Sequence, residues 1–271
     1  MQVTGNNQHS QHTLSIRIST DGFSFYVFCP QEEIPFAVFH FDLSDEDIPE
    51  YMQKCFEQAH LDAYVYDRVY TLASTPSTRI PLEDFRKDEA DPLYRLTFPD
   101  TAKTDKVFYN ILPHVETAEL FSLPSDVSTW LCRRFPDIRI YGQYSMLLER
   151  LMGIERRSTS CRNLYVYLED KRMFACQFRD GRLTFANTYM AEDRTNRLYF
   201  ILHAWKTLGA NAEQDRCILL NASSCQKGMA EDLQKYLRHV VTPGPADLFP
   251  RLSASHIPGM PFDLFMLLTN D

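Results

Sequence analysis

Apolar and polar residues alternate over Leu14–Ser19 and again over Phe23–Cys29, on either side of Thr20-Asp21-Gly22. Alternation of this kind marks a half-buried strand. An Asp-Gly between two such runs predicts a hairpin, with φ > 0 in its turn. Pro35–Phe41 predicts a third strand. Ser44 follows as the expected N-cap of a helix, with Asp47 at the capping-box position. Apolar residues then fall at 48, 51, 52, 55, 56 and 59, the spacing of one buried helix face. Ala63–Ser74 returns to strand character, so the first unit reads strand, strand, strand, helix, strand.

That order recurs. Leu164–Leu168 and Met173–Phe178 are predicted strands around Glu169-Asp170-Lys171-Arg172, and Asp180-Gly181 turns into Leu183–Met190. Asp193 is the expected N-cap of a helix with apolar residues at 198, 201, 202, 205 and 208, closed by Gly209. Cys217–Leu220 is a short buried strand. A helix over 227–238 uses Met229, Leu233 and Leu237, Val240–Val241 adds a strand, and Phe262, Phe265, Met266 and Leu268 predict a closing helix. Leu14 set over Leu164 gives an offset of 150 residues, and the units keep step until their helices end near Gln58 and Leu208. Few side chains match, so the pattern repeats and the chemistry does not.

Between the units, residues 75–105 carry turn signals and charge and are expected to be an insertion. A strand over Lys106–Pro113, a helix over Ser125–Phe135, a strand over Asp137–Tyr141 and a helix after Gly142 complete the first half. The polar stretch Glu155–Arg162 is the expected boundary. The predicted organisation is a loose tail over 1–12, a first half over 13–155 and a second half over 163–271.

Composition narrows the function classes. Of 271 residues, 44% are hydrophobic and 24% charged, with a formal net charge of −8, an ordinary globular balance. Phosphate-rich partners are held by surplus cations, so nucleic acid and anionic membrane surfaces are disfavoured. Glycine is scarce, 9 of 271 residues, or about 3% against a usual ~7%. Phosphate-cradling loops have little material here. No stretch approaches the ~20 apolar residues of a membrane span, and the polar start MQVTGNNQHSQHT is no secretory signal. Seven cysteines without a C-x-x-C predict a reducing, cytoplasmic setting. Cys29, Cys55, Cys132, Cys176 and Cys217 are expected to be small core hydrophobes.

Two copies of a three-stranded meander, helix and further strand resemble the actin-like ATPase architecture, with ribonuclease-H-like halves. The segments LSIRISTDGFSFYVF and NLYVYLEDKRMFACQFRDGRLTFANTYMAEDRTNRLYFILHAWKTLG are similar to a Bacteroidetes family of unknown function with that fold. The resemblance implies a mixed α/β, two-lobed chain; fold alone does not assign an activity. It also implies where a nucleotide would be held: a hydroxyl-bearing Asp-x-Gly-Thr hairpin turn in each half, and a Gly-Gly turn in the second half for adenosine.

The first of these positions reads Ser19-Thr20-Asp21-Gly22-Phe23-Ser24, so Asp21, Gly22 and Ser24 are weak ligand candidates. An ordinary Asp-Gly turn explains the same residues. The second position, Glu169-Asp170-Lys171-Arg172, has neither glycine nor hydroxyl, and only Asp170 is a candidate. At the third, Leu219-Leu220-Asn221-Ala222-Ser223-Ser224 offers Asn221, Ser223 and Ser224 in place of two glycines. Two of three loops depart from what a triphosphate requires.

A metal-dependent nuclease would need clustered carboxylates. Glu169, Asp170, Glu192 and Asp193 are explained as a turn and a helix cap, and Asn221 is a weak metal ligand. No zinc-type Cys/His spacing, nucleophile elbow or dinucleotide fingerprint is present. His40 and His203 lie in apolar segments and are expected to be hydrogen-bonded core histidines. Tyr64, Tyr66 and Tyr70, or Tyr165 and Tyr167, could expose one strand face to a partner. The sequence therefore predicts a non-catalytic, degenerate actin-like scaffold without cofactor, metal or catalytic residues. Its expected partner is a protein, with homo-oligomerisation open. The alternatives are a divergent ATP-binding switch or phosphotransferase, and a metal-dependent nuclease.

Overall fold

The structure is a computed structural model that describes residues 12–19, 21–31, 35–43, 46–156, 161–169, 171–221, 228–249 and 260–268. The sequence-predicted tail thus lies outside it up to residue 11, and so does Ser44. In the first half, β1 (His12–Ser19), β2 (Gly22–Phe28) and β3 (Phe36–Asp42) form a meander. Helix α1 (Ile48–Gln58) and strand β4 (Tyr66–Ser74) follow. Asp47 is the N-cap of α1 and its carboxylate accepts from the Glu50 N–H, so the cap lies three residues beyond the predicted Ser44.

The expected insertion is structured. It contains β5 (Ser77–Pro81) and α2 (Ala90–Thr97), and β6 (Asp105–Leu112) and β7 (Thr117–Pro124) come after it. Strand β7 went unpredicted because Glu119 interrupts an apolar run; the structure buries that carboxylate completely and pairs it with Arg79 at 2.7 Å. Helix α3 (Ser125–Arg134) and strand β8 (Arg139–Gly142) complete the set.

The first five-stranded sheet runs β3-β2-β1-β4-β8. β1 pairs antiparallel with β2 and parallel with β4, and β8 is parallel to β4. One face of β1 (Leu14, Ile16, Ile18) and of β2 (Phe23, Phe25, Val27) packs on Met52, Cys55 and Phe56 of α1 and on Val127 and Leu131 of α3. The period of two on the strands and the stripe on the helix meet there. β5, β7 and β6 form a separate three-stranded sheet, whose Phe121 and Leu123 join the same core.

The second half repeats the plan. After α4 (Ser145–Glu155) come β9 (Asn163–Leu168), β10 (Arg172–Arg179), β11 (Arg182–Met190) and α5 (Arg194–Thr207). β12 (Arg216–Leu220), α6 (Met229–Leu233), β13 (His239–Val241), α7 (Pro245–Leu248) and α8 (Phe262–Leu268) end the chain. The sheet order is β11-β10-β9-β12-β13, with the same strand senses as the first. Leu164, Val166 and Leu168 take the core positions that Leu14, Ile16 and Ile18 take in the other sheet. Helix α6 is shorter than the predicted 227–238; it ends at Leu233, and residues 222–227 lie outside the described residues.

By contacts the chain divides into one unit of Met1–Arg79, Arg86–Asn110 and Glu119–Gln143, and a second of Ile80–Phe85, Ile111–Ala118 and Tyr144–Asp271. Helix α4 groups with the second unit, ahead of the polar stretch Glu155–Arg162. Its Glu155 carboxylate accepts from Asn163 Nδ2 at 2.7 Å and from the Tyr165 hydroxyl at 2.8 Å. Tyr144, just before α4, stacks on Phe174 with ring centroids 4.1 Å apart.

Several sequence expectations fail on exposure. Tyr165 and Tyr167 are buried, because Tyr144 ahead of α4 and Phe178 of β10 cover them; Tyr70 is buried beside Tyr141, and Tyr64 is the exposed member. His40 stands on edge strand β3 with a largely exposed side chain. His203 is exposed on α5 and stacks on exposed Tyr199. Cys132 is exposed, whereas Cys29, Cys55, Cys176 and Cys217 are buried as expected; Cys225 lies outside the described residues. The buried Cys217 thiol is pushed up to about 12, which makes it inert. Among the described residues no helix is long and apolar enough to cross a membrane.

Candidate functional site

The first predicted phosphate position sits where β1 hands over to β2. Gly22 opens β2 opposite Asp42 and does not have a positive φ, contrary to the turn expected from Asp-Gly. A different constraint selects glycine. A Cβ at residue 22 would lie 2.3 Å from the carbonyl oxygen of Phe41, main chain that cannot swing aside. Gly22→Ala should therefore cost about 2–3 kcal/mol. A urea midpoint that falls accordingly at constant m checks it, and an unchanged midpoint contradicts it.

The neighbouring polar groups are engaged with one another. Ser19 Oγ donates to the Gly22 carbonyl at 3.0 Å, and Leu43 N–H donates to the Asp21 carbonyl at 3.1 Å. Ser24 is separated from this corner. It pairs with Arg17 and His40 across the sheet, is buried, and its hydroxyl lies 2.8 Å from His40 Nδ1. Side chains alternate along β2, so Ser24 faces away from the side where Phe23 points. Asp21 and Gly22 thus share one corner, and Ser24 belongs to the opposite sheet face.

The second position is the β9–β10 turn. Asp170 lies outside the described residues, but its neighbours are fixed. Glu169 N–H donates to the Arg172 carbonyl at 2.9 Å. The Glu169 carboxylate accepts from the Tyr144 hydroxyl at 2.7 Å and lies 3.5 Å from the Arg172 guanidinium. Arg197, buried in the first turn of α5, donates from Nη2 to the Glu169 carbonyl at 2.8 Å and from Nε to the Ala191 carbonyl at 2.9 Å. One guanidinium therefore ties the turn, the end of β11 and the start of α5 together.

At the third position Asn221 follows β12 with φ 110 and donates from Nδ2 to the Leu168 carbonyl at 2.6 Å. It therefore neighbours the β9–β10 turn and is committed to its backbone. Ser223 and Ser224 lie outside the described residues. Downstream, Gly228 has a φ of 78, and a Cβ there would come within 2.6 Å of Arg194 Nη1. Arg194 Nη2 donates to the Gly228 carbonyl at 2.7 Å, and its Nε bonds to Asp232. The Arg194 hydrogen bond, then that of Lys235, lowers the Asp232 carboxyl to about 2. Among the described residues no three His, Cys, Asp or Glu side chains gather as a metal site would require.

Sequence reasoning missed Tyr144, Arg194 and Arg197. Arg197 carried a signal: it sits four residues before Ile201, on the face that α5 buries, where an unpaired cation would be costly.

Over residues 3–240 the chain matches the model of a family described as proteins of unknown function. The chain belongs to the DUF3822 family. A DUF3822-like architecture is also evident among solved structures. A protein with actin-like ATPase fold and unknown function from Bacteroides thetaiotaomicron VPI-5482 is similar over 100% of both chains, at 26% identity and a TM-score of 0.77. A PilM–PilN type IV pilus biogenesis complex is similar in fold over 87% of this chain and 89% of that one, at 10% identity and a TM-score of 0.54. This DUF3822 chain matches no curated protein. It has the actin-like ATPase fold, built on mixed sheets.

Proposed function

We propose that this chain is a non-catalytic, degenerate actin-like scaffold that works through contact with a protein partner. The closure of the β9–β10 turn by Arg197 and Glu169 carries this reading. A phosphate-holding turn needs bare backbone N–H groups and room for an anion. Here the Glu169 N–H is spent within the hairpin, and a carboxylate with 14% of its side chain exposed stands at the turn. Asn221 is likewise committed to the Leu168 carbonyl. The shared strand order of the two sheets, in step with the 150-residue sequence offset, supports an internal duplication of ribonuclease-H-like halves.

Exposed aromatic surface supports a protein partner. Tyr199 is 60% exposed, stacks on His203 and meets Phe200, which stacks on Tyr189 of edge strand β11. Such rings bury area on contact at small entropy cost. A complex formed by a protein of the same fold, PilM with PilN, is compatible with this use. A reducing, cytoplasmic setting is supported by the buried free thiols.

Calorimetric titration with MgATP tests the proposal. The expected outcome is no saturable heat and an unchanged melting temperature. Micromolar binding that is weakened by Asp21→Ala would replace the scaffold with an ATP-dependent switch.

A further inference from the structure

The first unit contains a cavity of about 640 Å³ that the scaffold reading does not use. Its volume falls within the roughly 300–1,000 Å³ of small-molecule sites. Apolar walls come from three directions: Ile18 and Phe23 at the β1–β2 corner, Met52 of α1, and Val127 of α3. The remaining wall is α2 and the segment that leads from it to Asp105, including Phe98, whose ring packs on that of Tyr94.

The polar lining has a definite sign. Tyr94 donates its hydroxyl to the Pro76 carbonyl at 2.8 Å and lies 3.2 Å from Ser122 Oγ, so both are occupied. Ser19 is held by the Gly22 carbonyl. Asp100 and Asp105 supply carboxylates, and among the described residues lining the cavity there is no Lys, Arg or His.

The cation that acts on Asp105 is already in use. Arg95 of α2 grips the Asp91 carboxylate through Nε, at 2.9 and 3.1 Å. Its Nη1 and Nη2 donate to the carbonyls of Ala102 and Asp105 at 3.0 and 2.8 Å. That clamp fixes the wall and presents Asp105 as part of it. Two helix starts border the cavity and would otherwise favour an anion. Both are covered by their own carboxylates: Asp47 accepts from Glu50 N–H on α1, and Asp126 from Val127 N–H on α3.

We propose that this cavity binds a compact hydrophobic amine, its hydrocarbon against Phe23, Met52 and Val127 and its ammonium at Asp105. Burial pushes the Asp105 carboxyl up, Asp126 adds to the rise, and Arg95 opposes it. An ammonium in contact relieves that desolvated charge. A phosphate or carboxylate ligand would meet only like charge.

Titration of the full chain with phenylbutylamine, phenylbutanol and phenylbutyrate tests the proposal. The three probes share one hydrocarbon and differ in head group. The amine should bind about tenfold tighter than either of the others, the worth of one charge-assisted contact. Asp105→Asn should erase that preference while leaving the weak binding of the alcohol. Ala102→Trp, at an exposed lining position, should weaken all three. Absence of saturable heat from the amine, or equal affinity of amine and carboxylate, would overturn the proposal. That comparison needs only the unmutated chain, so it decides the matter even if a variant fails to fold.

Discussion

Arg197→Met lowers the stability of the second unit by about 3 kcal/mol, because two charge-assisted hydrogen bonds are lost together, one acceptor on buried Ala191 and the other on half-buried Glu169. The residue is 6% exposed, and its guanidinium serves the carbonyls of both Glu169 and Ala191. Methionine replaces the aliphatic stem, so the change is confined to polar satisfaction. The melting midpoint should fall by roughly 6–12 °C. Arg197→Lys should recover little of this, since one ammonium cannot reproduce a rigid fork aimed at two separate carbonyls. Thermal unfolding of the two variants checks both statements. A loss below about 1 kcal/mol in the methionine variant would mean that the turn is held by other contacts.

The second large effect is expected in the first unit. Arg79→Met should cost about 3–5 kcal/mol, since it strands the charge of Glu119. The Glu119 side chain is fully buried and that of Arg79 is 10% exposed; they meet at 2.7 Å, with Ser77 Oγ donating to the same carboxylate oxygen at 2.9 Å. The penalty arises from the desolvated carboxylate more than from lost attraction. A double variant, Arg79→Met with Glu119→Leu, should therefore regain most of the stability. Chemical denaturation of the two single variants and the double variant forms the cycle. A double variant as unstable as Arg79→Met alone would locate the cost elsewhere.

Much of the fold was legible because its elements obey simple periods. Strands β1, β2, β9 and β10 follow alternation or unbroken apolar runs, and α1 and α5 follow the helical stripe; Asp193 caps α5 as expected, accepting from Asn196 N–H at 2.8 Å. What escaped were elements whose pattern is broken by a buried polar group. Strand β7 is interrupted by Glu119, whose partner Arg79 lies forty residues earlier and cannot be paired by any local signal. Exposure was misjudged for Tyr165, Tyr167 and His203, because what covers a face depends on elements distant in sequence.

The candidate site was legible as residue types and not as geometry. The Asp-Gly at residues 21–22 was visible, but the close approach of the Phe41 carbonyl, which demands glycine there, comes from tertiary pairing. Asn221 stands in the sequence in place of an expected glycine, and the structure shows a hydrogen-bond commitment to Leu168. Tyr144 and Arg197 reach the β9–β10 turn from different helical segments, so no motif could join them.

The matching strand orders hide an asymmetry in assembly. The fifth strand of the first sheet arrives after residues 75–138, whereas that of the second arrives after residues 221–238. Bridging a span roughly three to four times longer adds about 1 kcal/mol of closure entropy for a flexible chain. Refolding from denaturant should accordingly complete the carboxy-terminal sheet ahead of its amino-terminal counterpart, so that two look-alike scaffolds mature on different clocks.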